Sequence, residues 1–364
     1  YTDSGTTLAD GSQQGGSIDV RAKNITQTSS AVVSASSSEG EGGRVELIGD
    51  LGHGIGQFGG KIYATGRRRG GFVDTSGATV LIDDALRVNT SSAEGQAGTW
   101  LIDPNDFTIA ASGGNITGSA LSGNLANNDI IISTATQGTA GGNGDIFVRD
   151  NVTWSSGKTL TLNAERNINI LATIDAAQSP TGKVVLQYGQ GAVAIGNTAN
   201  FNFGLKSDGF TGKLNLHAGN NLSTKLGSNG SVIDYTVITQ LGHEGSISGT
   251  DLQGMNGNLT GNFALGADIN AGDGNASTAN WNSGAGFDGI GSASTNGSFK
   301  GRFTGLGHSI SGLTINRPTT GFVGLFDYAE NATIRDVLVL NANVVGNNTV
   351  GALAGLATGT QFFQ

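Results

Sequence analysis

Cysteine is absent from this 364-residue chain, proline occurs 3 times and aromatic residues make up 6%. Without cysteine there is neither a disulfide framework nor thiolate chemistry, so packing and hydrogen bonds alone must hold the fold. Charge is also scarce, at 13%, too little for a self-repelling disordered chain. The 28 acidic against 19 basic residues leave a formal net charge of −9, which argues against nucleic acid or an anionic membrane as a general partner. No apolar run reaches about 18 residues, so no membrane-spanning helix, and no membrane insertion, is expected. What is abundant is glycine, 62 residues, more than twice the usual share of about 7%. There is no G-X-Y period to make it collagen.

The most regular stretch is GGNGDIFVRDNVTWSSGKTLTLNAERNINILATIDA, from Gly141 to Ala176. Ile146 and Val148, Leu160 and Leu162, and Ile168 and Ile170 alternate with polar residues, and Gly, Asn, Ser and Asp clusters separate the runs. This is the pattern of short strands joined by turns. Ile146 returns as Ile168 after 22 residues and Leu160 as Val184 after 24, the signature of a solenoid coil. A single compact core stops growing near roughly 250 to 300 residues, whereas a solenoid has no such limit because each coil packs only on its neighbours. At about 22 residues per coil the chain would make on the order of 16 coils, an extended rod with roughly 4.8 Å between strands.

Read in order, residues 1–109 form β-solenoid coils, with Gly-Gly pairs at Gly15, Gly42, Gly59 and Gly70. Their spacings of 27, 17 and 11 are irregular, which predicts turns between strands rather than one fixed repeat. Residues 110–143, small and polar around two apolar islands, read as an excursion, a loop or β-hairpin. Coils resume over 144–250. Residues 251–364 form coils with Gly-rich repeats, in which Val323 and Val350 begin similar segments and residues 271–298 form a decorated loop. The chain opens at Tyr1 without a charged-then-apolar leader and closes mid-pattern at QFFQ, as a processed or internal piece would.

GTWLIDPNDFTI (Gly98 to Ile109) resembles the W-L-L-D-P element of bacterial two-partner-secretion exoproteins, the filamentous-haemagglutinin-like and high-molecular-weight adhesins. GDIFVRDNVTWSSGKTLTLNAERNINILATIDA resembles their shaft. GNFALGADINA, WNSGAGFDGIG and FKGRFTGLGHSISGLTINRPTTGFVGLFDYAENATIRDVLVLNANVVGNNTVGALAG resemble their Gly-rich, GLUG-type repeats. The likeness runs from Gly98 to Gly355, while the family's amino-terminal secretion motifs are not visible. It implies an all-β, right-handed parallel β-helix with extrahelical loops or hairpins, export through an outer-membrane secretion partner, and residence on the surface of a Gram-negative cell.

Candidate chemistry is thin. Asp83, Asp84, Asp103 and Asp106 are the best acidic group, and the 20-residue gap from Asp83 to Asp103 could stack them on adjacent coils as an acid pair. Turn capping is the ordinary role of such Asp residues. His53, His217, His243 and His308 lack metal-ligand spacing, and His308 is expected to make a structural hydrogen bond. Asp268, Asn270 and Asp273 offer oxygens, but their spacing misses the calcium-loop pattern. No metal and no cofactor is therefore expected. Arg67, Arg68 and Arg69 form the only basic run, either a solvated turn or a grip on a sulfated or carboxylated glycan. Trp100 and Trp154 lie in strand patterns and suit the core, whereas Trp281, in the decorated loop, is the better sugar-stacking candidate. Sequons at Asn24, Asn89, Asn115, Asn151, Asn258, Asn275 and Asn331 suit either glycosylation, which the resemblance implies for some members, or stacked amides at coil corners.

The expected function is attachment: a non-enzymatic, secreted adhesin whose shaft meets host-cell or matrix glycans or proteins, through many weak contacts. The alternatives are a self-associating structural fibre and a polysaccharide-degrading β-helix acting at Asp83, Asp84 and Asp103.

Overall fold

The computed structural model describes residues 5–134, 142–273, 277–292 and 297–364. It is a parallel β-solenoid of about 12 turns, divided into two compact units, Tyr1–Asn202 with Ser223–Val232, and Phe203–Leu222 with Ile233–Gln364.

Among the described residues, seven rungs lie wholly in unit 1: β1 (Ser17–Arg21), β2 (Arg44–Ile48), β3 (Phe72–Ser76), β4 (Thr99–Asp103), β5 (Asp129–Ser133), β6 (Thr159–Asn163) and β7 (Lys183–Tyr188). Each pairs in parallel with the next. Alternation along every rung sends one residue in two to the interior. In-register stacking then lines up Ile18, Val45, Val73, Trp100, Ile130, Leu160 and Val184 as one apolar column, each 8% exposed or less. The column beside it contains a polar member, Thr75, whose Oγ1 accepts the Trp100 indole N–H at 2.9 Å. That bond explains a fully buried threonine in an aliphatic row. Two further faces close the early coils: Ile25–Gln27, Ile55–Phe58 and Thr79–Ile82 on one, and Thr6–Leu8, Val32–Ser34, Lys61–Tyr63 and Arg87–Asn89 on the other.

The stacking read from the regular stretch holds, since Ile146 pairs with Ile168 and Leu160 with Val184. Coil length does not stay near 22. Ser17, Arg44, Phe72 and Thr99 are in register 27, 28 and 27 residues apart, so there are fewer, longer turns. These intervals also correct the reading of the Gly-Gly pairs: Gly15, Gly42 and Gly70 do follow one fixed repeat. Gly59–Gly60 belongs to a different corner, where Gly60 takes φ of +71°, and its presence hides the period.

The described part of the 110–143 region is likewise neither a plain loop nor a hairpin. It contains a helix, α1 (Gly118–Asn124), followed by rung β5; Thr117 caps the helix, its side chain accepting from Ala120 N at 3.2 Å. Where a further strand would have paired with Arg87–Asn89, two buried asparagines substitute for it. Asn124 Oδ1 accepts from Val88 N at 2.8 Å, and Asn124 Nδ2 donates to Leu86 O at 3.1 Å. Asn128 Oδ1 accepts from Thr90 N at 2.7 Å, and Asn128 Nδ2 donates to Val88 O at 2.9 Å. Residues 135–141 of that region lie outside the described residues.

Unit 2 has five rungs: β8 (Ile233–Ile238), β9 (Asn262–Leu265), β10 (Arg302–Thr304), β11 (Thr333–Arg335) and β12 (Gln361–Phe363), paired in order. Val323 pairs with Val350, as their similar segments suggest. Its core is aromatic: Phe299 meets Phe326 at 5.0 Å between ring centroids, and Phe303 meets Phe326 at 5.4 Å. The described part of the 271–298 segment is not a protruding loop. Trp281, Phe287 and Ile290 from it join this core; residues 274–276, with Asn275, and 293–296 lie outside the described residues.

Replacing Asn128 by Leu strands the Thr90 N–H and the Val88 carbonyl in the interior. At about 1 to 3 kcal/mol per orphaned group, urea denaturation should show a loss of about 2 to 6 kcal/mol. An unchanged midpoint would contradict the substitute-strand role.

Candidate functional site

Four successive coils of unit 1 turn the same corner. Arcs at 11–14, 37–41, 66–69 and 92–96 are joined by the parallel bridges Gly11↔Ser37, Gln14↔Glu41, Glu41↔Arg69 and Gly66↔Ser92. Each arc runs through Gly15–Gly16, Gly42–Gly43, Gly70–Gly71 or Ala97–Gly98 into β1 to β4. Here successive backbones approach too closely for any side chain. A Cβ on Gly43 would stand 2.0 Å from the carbonyl oxygen of Gly16, one on Gly71 2.1 Å from that of Gly43, and one on Gly98 1.7 Å from that of Gly71. Glycine is demanded by this contact rather than by an unusual φ.

The bare backbone forms the floor of a groove of about 600 Å³, crossing four coils over roughly 15 Å at the usual strand spacing. Gln14, Glu41 and Arg69 form one wall; Ser17, Arg44, Phe72 and Thr99 form the other. The Arg44 guanidinium lies 4.1 Å above the Phe72 ring centroid and donates to Glu46 Oε1 at 2.8 Å. That hydrogen bond raises the Arg44 pKa and lowers that of Glu46.

The arginine run thus separates into three roles. Arg67 is bound by Glu39 at 2.7 Å and Glu94 at 2.8 Å, and Arg68 donates to the Glu39 carbonyl and to Gln13. Both hold neighbouring arcs together. Arg69 is exposed on the groove wall and makes no ion pair among the described residues.

The acidic candidates do not assemble as a quartet. Asp83 is on an exposed corner, accepting from Ala85 N at 2.7 Å, and belongs to a different face from Asp103. Asp84 accepts from the Thr117 hydroxyl at 2.5 Å, and Asp106 accepts from the Asn143 and Asp145 N–H groups at 2.9 Å. This is the turn chemistry expected of corner aspartates. Asp103 is instead buried at the end of β4 near Asp74, a residue not singled out from the sequence. Burial pushes the Asp74 carboxyl up to about 6, opposed by its bond from the Ser76 hydroxyl and assisted by the Asp103 and Glu46 charges. Asp74 and Asp103 are 7% and 8% exposed, so neither offers a polymer an open approach.

Trp281 is no stacking platform. It is 7% exposed and lies near-parallel to Phe287, 6.3 Å between centroids. Trp100 and Trp154 are buried, as their strand patterns require, and Trp154 Nε1 donates to Lys158 O at 3.0 Å. His308 makes its structural contact, Nε2 to Leu214 O at 3.1 Å, with Nδ1 3.4 Å from Asp268. Asp268 also accepts from Lys213 Nζ at 2.6 Å and Ser309 N at 2.8 Å; His308 and these partners hold its carboxyl well below the usual range. Lys213 neutralises the Asp268 carboxylate, and the Asn270 side-chain oxygen accepts from the Gly272 N–H. Asp273 and the exposed His53, His217 and His243 join no metal-binding group: among the described residues no cluster of three such side chains is placed to hold a metal. Asn24, Asn115 and Asn151 bond backbone on adjacent coils. Asn89 accepts from nearby Ser91 N, Asn258 ends a 3-10 turn, and Asn331 has φ of +52°. One amide-to-amide stack does occur, Asn202 to Asn169 at 2.7 Å.

Over 174 residues, 47% of this chain, the sequence is 33% identical to halomucin of Haloquadratum walsbyi, and the matched stretch spans 2% of halomucin's length. No protein-family model and no solved structure matches the chain. Among the described residues no helix is long and apolar enough to cross a membrane.

Two outcomes follow from this geometry. A Gly71→Val substitution places a side chain against the Gly43 carbonyl, and overpacking of this kind costs about 1 to 3 kcal/mol, read as a lowered urea midpoint. For Asp74, the folded state keeps a proton between the ordinary carboxylate pKa and about 6 that the unfolded chain has released. Its contribution to stability therefore falls as pH rises through that window. Asp74→Asn should raise stability at pH 7, by at most about 3 kcal/mol at 1.36 kcal/mol per pKa unit, and leave it unchanged near pH 4. An equal effect at both values would contradict the assignment.

Proposed function

We propose that this chain is an attachment segment of a secreted surface protein, holding an extended, acidic glycan in the glycine-floored groove of unit 1. The observation that carries this reading is the groove itself: a bare backbone floor with Arg69 on one wall and Arg44 on the other. Guanidinium groups suit sulfate or carboxylate by planar paired bonds, and the Phe72 ring supports the Arg44 guanidinium from beneath. A floor of glycine backbone and the Ala97 methyl lets a linear polymer lie across the coils, where several weak contacts act together. The partial likeness to halomucin, whose name marks it as mucin-like, supports an extracellular setting. The resemblance to two-partner-secretion adhesins supports export through an outer-membrane partner of a Gram-negative cell, and the role is binding rather than turnover.

The test is a glycan and matrix array probed with the purified chain, with Arg69→Gln and Arg44→Gln alongside. Selective retention of sulfated or uronate-containing chains, weakened about tenfold by Arg69→Gln, is expected, since one charge-assisted bond contributes about 1.5 to 3 kcal/mol. Retention equal in both variants would refute the groove as the site. Shortened polysaccharide after incubation would favour an enzyme instead.

A further inference from the structure

Unit 2 carries a separate cavity of about 390 Å³, within the range of small-molecule sites. Its floor is the segment 288–291, held by two amide side chains. Gln253, 1% exposed, donates to Asp288 O at 3.0 Å and accepts from Asp288 N at 3.0 Å. Asn256 accepts from Gly291 N at 2.9 Å. A Cβ at position 289 would stand 2.0 Å from Asp327 Oδ1, so a larger residue there would displace the Asp327 carboxyl. The missing side chain lets the Asp327 carboxyl lie directly over the floor. Arg317 pairs with Asp288 at this floor, and Ile247, 74% exposed, lies among the lining residues.

The lining selects its ligand by elimination. Two carboxyl groups disfavour an anion, and the Arg317 guanidinium paired with Asp288 disfavours a metal ion. The polar walls disfavour a purely apolar guest. What remains is a neutral molecule rich in hydroxyls, each able to donate to a carboxyl and accept from a guanidinium, with a C–H face for Ile247. We propose that this cavity binds a single neutral sugar residue, with Asp327 and Asp288 accepting from its hydroxyls and Arg317 donating to them. Burial pushes the Asp327 carboxyl up to about 6, the environment of a polar group set where water is partly excluded.

The purified chain is titrated by calorimetry and saturation-transfer NMR with D-glucose, D-galactose, D-mannose, N-acetyl-D-glucosamine, D-glucuronate and calcium chloride. Saturable binding of at least one neutral sugar is expected. It should weaken about tenfold in Asp327→Asn, as loss of a charge-assisted bond implies, weaken measurably in the exposed-rim variant Ile247→Ser, and stay unchanged in Arg69→Gln. The last arm separates this site from the groove in unit 1. No saturation by any neutral sugar, saturation by glucuronate or calcium alone, or neutral-sugar binding indifferent to both unit 2 variants would overturn the proposal.

Discussion

Close backbone contact between successive coils is the constraint from which most of this structure follows. Stacked strands separate by under 5 Å, and at the corner before β1 to β4 the approach is closer still, so that only glycine fits on Gly16, Gly43 and Gly71. The same contact has two consequences. It keeps the interior columns in register, so that Val73 lies on Val45 and Trp100 on Val73. It also removes side chains from the outer surface of that corner, and a groove is what remains.

Polar groups inside and outside the coils answer to the same geometry. A solenoid repeats its neighbours, so a departure in one coil must be accommodated by the next. Trp100 finds its acceptor in Thr75 one coil away, and the edge of Arg87–Asn89 is completed by Asn124 and Asn128. Arg67 similarly ties two arcs through Glu39 and Glu94. In an isolated position each would be a surface or buried polar residue with a cost. Within a stack each completes a neighbour.

The solenoid was legible in the sequence because alternation and return distance are local, countable signals: Ile146 to Ile168 and Leu160 to Val184 marked the register of the later coils of unit 1. Other features depended on contacts that spacing alone does not encode. Gly59–Gly60 masked a true repeat, since nothing in the chain distinguishes one glycine corner from another. The helix α1 is short and glycine-bearing, with Thr117 as its one clear start signal. Trp281 lies among Gly, Asn and Ser, which reads as loop, yet Phe287 and Ile290 beside it supply the apolar set that buries it. Of the arginine run, only Arg69 lines the groove, because Arg67 and Arg68 are bound by partners on arcs one or two coils away.

The most direct test of this account uses the absence of cysteine. Spin labels attached to Ser17→Cys and Thr159→Cys stand five rungs apart in unit 1, a backbone separation of about 24 Å at the usual strand spacing. Double electron-electron resonance should give one narrow distribution near that value, broadened only by the label linkers. A broad distribution, or one centred well beyond 35 Å, far above the five-rung span, would contradict in-register stacking and with it the groove.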